Sequence, residues 1–287
     1  MTIGLGVLCS THNEYDDLTR MRPDAMVFVA DTMGSTDTDS TAELHKLFYD
    51  RRANVYGVGC GNMDIAAEMF GSISDNLANA PEPRNHGVIW NTLGRVVNGH
   101  RSERFMFDVA APRYMFTPQH IPQTEMKSFL AEWQAYYVGA DLLIGTFDYR
   151  GMALLYFIGN QENTPGLVHL VQFPGYCAIG AGLYNASMWL NYRGQNFGMN
   201  IQRSALHALE SANMAASAPS VNASPEMLLA TSSDCWEISR RRETDNPPIT
   251  MEELKRLVKK HAPRSTHAVG TFSSATPPDP QSTRGDQ

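Results

Sequence analysis

From Ala25 to Ala30 the chain reads Ala-Met-Val-Phe-Val-Ala, six apolar residues with no polar break. A strand resting on one core alternates apolar and polar side chains, because neighbouring residues point to opposite faces. A strand that is apolar on both faces has to be covered on both sides. The fold must therefore supply a layer above this segment and another below it.

The order of the remaining segments narrows the choice of layers. TIGLGVLCS, AMVFVADT, ELHKLFYD and NVYGVGCG are short, rich in Val, Leu, Phe and Tyr, and broken by turn residues, which predicts four strands within the first 61 residues. NMDIAAEMFGSISDNLAN then places Ile65, Met69, Phe70, Ile73 and Leu77 at helical spacing. A second helical region covers roughly 85–103, and QTEMKSFLAEWQAYY returns to helix after a 104–123 stretch that holds three prolines. ADLLIGTFD, MALLYFIG, GLVHLVQF and YCAIGAG read as strands, LYNASMWLNYRG and NIQRSALHALESANMAA as helices, and PEMLLATS and CWEIS as closing strands. Runs of strands separated by runs of helices argue against alternating βαβ units. The expectation is an α+β fold, a four-layer αββα sandwich of two mostly antiparallel sheets between helix layers. No internal repeat of solenoid length is present.

Composition bounds the function. The 287 residues are 43% hydrophobic and 18% charged, which suits a globular protein with a sizeable core. A net charge of −7 argues against a partner bound through phosphates, so no nucleic acid is expected. No apolar run approaches the ~18 residues of a membrane span, and no basic-then-apolar leader opens the chain. Cys9, Cys60, Cys177 and Cys235 are scattered without a CxxC pair, which points to a reducing, cytoplasmic setting. No metal-ligand cluster, nucleotide loop or cofactor motif stands out, so no cofactor is expected.

The charge is uneven along the chain. Residues 240–287 carry nine Lys/Arg against six Asp/Glu, a net +3, which leaves −10 on 1–239. We divide the chain there: a globular domain over 1–239 and an extension over 240–287. In the extension, Thr250 and Glu253 form a capping box before a short basic helix at about 250–260. Such a helix is more often a solvated face on a loose tail than a docked element. The end, TFSSATPPDPQSTRGDQ, has the composition of a disordered segment.

Four local features suggest chemistry when taken together. Thr2 starts the first strand, Asp31 ends the second, Lys46 lies within the third, and a Gly59-Cys60-Gly61 turn leads from the fourth into a helix. Singly, each has a plain reading: an ordinary chain start, a turn former, an edge Lys reaching solvent, a tight turn. In this order they resemble proteasome β-type subunits, through Thr2-x-x-x-Gly6-Val7, Ala30-Asp31-Thr32, Lys46-Leu47-Phe48 and Tyr56-x-x-Gly59-x-Gly61-Asn62. YCAIGAG before a helix is similar to that family's Gly-rich loop, and EMLLATSSDCWEIS to its closing hairpin. The resemblance covers residues 2–239, apart from the insertion STHNEYDDLTRMRPD, and lies nearer to bacterial homologues with homomeric rings than to eukaryotic subunits.

The resemblance implies an Ntn hydrolase, a threonine peptidase whose first residue after Met1 removal is both nucleophile and base. An α-amino group has a pKa of about 7.7–8.0 and so accepts the Thr2 hydroxyl proton near neutral pH. Lys46 would favour the neutral amine, Asp31 would orient Lys46, and the Gly61 N–H would donate to the oxyanion, with Ser35 and Cys60 beside an extended peptide or unfolded-protein substrate. A homo-oligomeric ring or double ring is implied; an activator or ATPase is not legible. Two departures keep other readings open. The Gly-rich loop is Gly180-Ala181-Gly182, with Ala where the family has Ser, and SAPSVNASPE lacks the family's Asp before the ninth strand. A weak or inactive structural ring subunit is one alternative. An amidohydrolase of the same nucleophile class acting on small amides is another.

Overall fold

The computed structural model describes residues 3–12, 22–32, 45–114, 123–161, 164–217, 225–238 and 247–261. Its elements run β1 (Ile3–Cys9), β2 (Ala25–Asp31), β3 (Leu47–Asp50), β4 (Val55–Gly61), α1 (Met63–Ala78) and α2 (His86–Phe105). They continue with α3 (Ala111–Tyr114), α4 (Gln123–Ala135), β5 (Ala140–Phe147), β6 (Ala153–Gln161), β7 (Thr164–Leu170) and β8 (Tyr176–Gly180). The chain then forms α5 (Leu183–Tyr192), α6 (Ile201–Ala215), β9 (Pro225–Thr231), β10 (Cys235–Ile238) and α7 (Met251–His261).

The strands form two five-stranded antiparallel sheets, ordered β10-β9-β2-β1-β8 and β3-β4-β5-β6-β7. β2 lies at the centre of the first sheet, and every one of its residues is buried. Met26, Phe28 and Ala30 point between the sheets with Tyr56, Val58, Leu143 and Leu155. Val27 and Val29 point the other way, onto Ala205, Leu209 and Ala212 of α6. On the far side, α1 and α2 cover the second sheet through Ile65, Met69, Ile73, Leu93 and Val97. This is the expected four-layer αββα sandwich, and the doubly apolar β2 is its mechanical reason.

In 104–123, α2 runs on to Phe105, continues as a π-helical stretch Met106–Ala110, and ends in α3. Phe105 is buried, and the rings of Phe129, Trp133 and Tyr136 stand 5.2–5.3 Å from it. The Arg101 guanidinium donates to the carbonyls of Trp133, Gln134 and Tyr136, at and just beyond the end of α4. α7 is not a solvated helix. The Glu253 N–H bonds Thr250 Oγ1 at 3.2 Å as the capping box requires, and Met251 and Leu254 are buried in the core outside the first sheet. The segment read as disordered, from 271 onward, lies outside the described residues.

Candidate active site

Antiparallel pairing brings several strand ends to one end of the sandwich. Asp31, Gly61 and Gly180 are the last residues of β2, β4 and β8, while Ile3 and Ala140 are the first of β1 and β5. The register sets Gly61 opposite Ala140 and Ile3 opposite Gly180.

Asp31 is 1% exposed. Its Oδ1 accepts the Ile3 N–H at 3.0 Å and the Lys46 ammonium at 2.7 Å. Lys46 stands just before β3 and is held there by backbone: its carbonyl accepts the Gly59 N–H at 3.0 Å. Only 2% of Lys46 is exposed, so its charge has lost nearly all its water. Removing an ammonium from water costs several kcal/mol, which only a close, well-aligned carboxylate offsets. Burial pulls the Lys46 pKa below the usual lysine range, and the hydrogen bond and charge of Asp31 oppose that fall. The approach to β3, rather than the strand itself, thus delivers a buried cation to the carboxylate that holds the Ile3 amide.

Gly61 has φ +84°, and a Cβ there would collide with the Gly139 carbonyl oxygen. Only glycine fits the turn. Asn62 then caps α1, its side chain accepting from the Asp64 and Ile65 N–H groups, while its own N–H bonds Gly139 O at 2.8 Å. The Cys60 side chain turns inward to the core between the sheets. Burial pushes its thiol pKa up; Asp141 and Asp31 add to the rise and Lys46 opposes it. Gly180 has φ +92°, and Gly182 packs so closely on α6 that a Cβ would lie 2.7 Å from Ala215 Cβ. Thr2 and Ser35 lie outside the described residues, as does 218–224.

Two groups near this end escaped the sequence reading. Asp141 faces Cys60 across β4 and β5, and its Oδ1 accepts the Tyr137 hydroxyl at 3.0 Å. Glu226 lies opposite Ala30 in the β2–β9 register and pairs with His45 at 3.3 Å, and its charge acts on Lys46. A polar residue at the head of the apolar run ADLLIG is the signal that could have flagged Asp141. Among the described residues no three His, Cys, Asp or Glu gather as metal ligands, and no helix is long and apolar enough to cross a membrane.

No family model matches the chain, and no curated protein does. Solved structures do. Anbu (ancestral beta-subunit) from Yersinia bercovieri matches with a TM-score of 0.56 and 13% identity over 90% of this chain and 94% of that one. Anbu from Hyphomicrobium sp. strain MC1 gives 0.56 and 15% identity over 90% and 93%. Its Gly-1 mutant gives 0.56 and 14% identity over 91% and 92%. These matches correct the reading of the chain as a proteasome β-type subunit of the bacterial kind. The fold is matched by Anbu proteins, a proteasome-like family in its own right with an Ntn-like fold. The physical reason is that short motifs, an Asp ending a central strand, a Lys reaching it and a glycine turn before a helix, do not tell one family on this sandwich from another. At 13–15% identity the likeness shows the fold alone.

Proposed function

We propose that the protein is a threonine-type peptidase subunit of a self-compartmentalising ring, with Thr2 as N-terminal nucleophile once Met1 is removed. The observation that carries this reading is the buried Lys46–Asp31 pair tied to the Ile3 amide, one residue from Thr2. A buried cation there stabilises an alkoxide and keeps a nearby amine neutral.

In the proposed reaction the free Thr2 amine takes the hydroxyl proton as Oγ attacks the substrate carbonyl. The Gly61 N–H donates to the oxyanion; such a donor is worth roughly 3–4 kcal/mol. Collapse breaks the amide bond, the protonated amine passes its proton to the leaving nitrogen, and an ester on Thr2 remains. Water, deprotonated by the same amine, hydrolyses that ester. The name ancestral beta-subunit, carried by the Yersinia bercovieri protein of the same fold, fits a chain that works within an assembly. The four free cysteines fit a reducing, cytoplasmic setting.

Peptide-library hydrolysis by wild type and Thr2→Ala, with native mass measurement, tests this. Thr2-dependent cleavage by a ring is the expected result. Equal cleavage by both proteins, or monomers alone at micromolar concentration, counts against it. Ala181 favours a second reading, a ring subunit of little or no activity, because the loop beside β1 offers no hydroxyl to orient an amine. That reading predicts rings without Thr2-dependent turnover.

A further inference from the structure

We propose that two copies of the chain pair through α5, across a two-fold axis that sets Met188 against Met188 of the partner subunit. This surface is independent of the peptidase chemistry.

α5 follows β8, the edge strand of the first sheet, and packs on α6, with Ala186 and Leu190 fully buried. Its outer side carries Tyr184, Met188 and Tyr192, which are 81%, 64% and 76% exposed. They recur every four positions and so form one row along the helix. A row of this spacing is the ridge by which two helices most often interlock. No charged residue occurs from Leu183 to Tyr192. A surface helix ordinarily carries charges on its solvent side, so an uncharged row of large apolar side chains marks an interaction surface. The Tyr192 end is held in place. Its ring lies 5.3 Å from that of Trp189, whose indole N–H donates to Glu210 Oε2 at 3.2 Å. Arg193 donates to Glu210 Oε1 at 2.9 Å, so the charges beside the row are already paired. A ring fixed in advance loses little freedom on contact.

The row identifies a second copy as its occupant because it reads the same in both directions. Met188 is its centre, with a tyrosine four residues before it and another four after. An antiparallel second α5 across a two-fold axis therefore places each Tyr184 beside Tyr192 of the partner subunit, with the two methionines at the axis. Thioethers pack well against such rings. Charge agrees. A two-fold contact sets a surface against itself, so a net charge on it would meet its like. Residues 1–239 as a whole carry −10, whereas α5 carries no charge, so like-charge repulsion opposes an approach through α5 only weakly. The three side chains expose on the order of 400 Å², about half of the ~800 Å² that each partner buries in a standard interface. Half-buried Leu183 and Trp189 and exposed Asn191 border the row and extend it. A closed ring joins unlike patches, so this contact is additional to those within a ring.

The test uses the full chain and reads assembly, not cleavage, by native mass and sedimentation velocity of wild type and Met188→Glu. Breaking a two-fold contact splits an assembly into halves. Met188→Glu should therefore hold half as many subunits as wild type, whether wild type is a dimer or a larger assembly, with pairing weakened about 10- to 100-fold. Met188→Cys gives a second readout that leaves the row nearly intact. Under mild copper-phenanthroline oxidation it should form a disulfide-linked dimer, while wild type, with its four native cysteines, should not. If thermal unfolding shows that Met188→Glu does not fold, the cross-link decides: a dimer supports the pairing and its absence overturns it. A folded Met188→Glu of unchanged mass, with no Met188→Cys dimer, overturns it as well. So does wild type that stays monomeric at high micromolar concentration, which leaves the row to a different protein.

Discussion

Lys46 and Asp31 meet at 2.7 Å, and the oxygen that Lys46 bonds is the one that accepts the Ile3 amide at 3.0 Å. One carboxylate oxygen thereby joins β2, β1 and the approach to β3. Removing one partner leaves a buried charge without compensation, which typically costs about 3–5 kcal/mol. Lys46→Met should lose that much in urea unfolding. The double variant Asp31→Asn/Lys46→Met should recover part of the loss, because no charge is left buried. A single-variant loss below 1 kcal/mol would mean that water reaches the pair.

Gly61 and Gly71 should respond to alanine with opposite signs. Gly61 is left-handed at φ +84° and faces the Gly139 carbonyl. The conformation alone costs an L-residue about 1–2 kcal/mol, and the collision adds to it. Gly71 lies inside α1 with nothing within 4 Å of a built Cβ, so Gly71→Ala should stabilise by about 0.5–1 kcal/mol. Thermal unfolding of the two variants beside wild type checks both signs.

His207 should make the fold sensitive to acid. It is buried on α6 with Nδ1 donating to Gln195 Oε1 at 2.9 Å. Burial, followed by the nearby charges of Arg193 and Arg203, lowers its pKa from 6.5 to about 4. The unfolded chain therefore binds more protons between pH 6.5 and 4, and stability falls as pH drops through that window. The shift corresponds to about 3 kcal/mol, fully lost below pH 4. Unfolding free energies of wild type and His207→Gln at pH 7 and pH 4.5 should differ in slope, the variant losing less on acidification.

α7 predicts a contrast between adjacent residues. Leu254 is fully buried against the outer core, while Lys255 is exposed. Leu254→Ala should cost about 2–5 kcal/mol and Lys255→Ala within about 0.5 kcal/mol of nothing. Similar effects at both sites would mean that the helix is undocked in solution.

Particular residues show where the sequence was legible. The unbroken AMVFVA run required cover on both faces, and β2 lies central to one sheet with cores on either side. The helical spacing of Ile65, Met69, Phe70, Ile73 and Leu77 matched the buried side of α1, because local phase alone sets that stripe. Residues 104–110 were illegible because their helical path depends on Phe129, Trp133 and Tyr136, which close around Phe105 from a distant segment. The docking of α7 was hidden for a similar reason, since an amphipathic pattern shows an apolar edge without naming its partner. Asp141 was passed over because register decides what faces Cys60, and spacing within one strand does not reveal register. The family assignment failed because motifs of a few residues do not separate families that share one fold.

The most direct test of the account is the intact mass of purified protein before and after incubation with a peptide epoxyketone, which reacts with a free amine and a hydroxyl on one residue. The account predicts loss of Met1 and a single adduct that maps to Thr2. Retained Met1, or a processed chain that takes up no adduct, would contradict it.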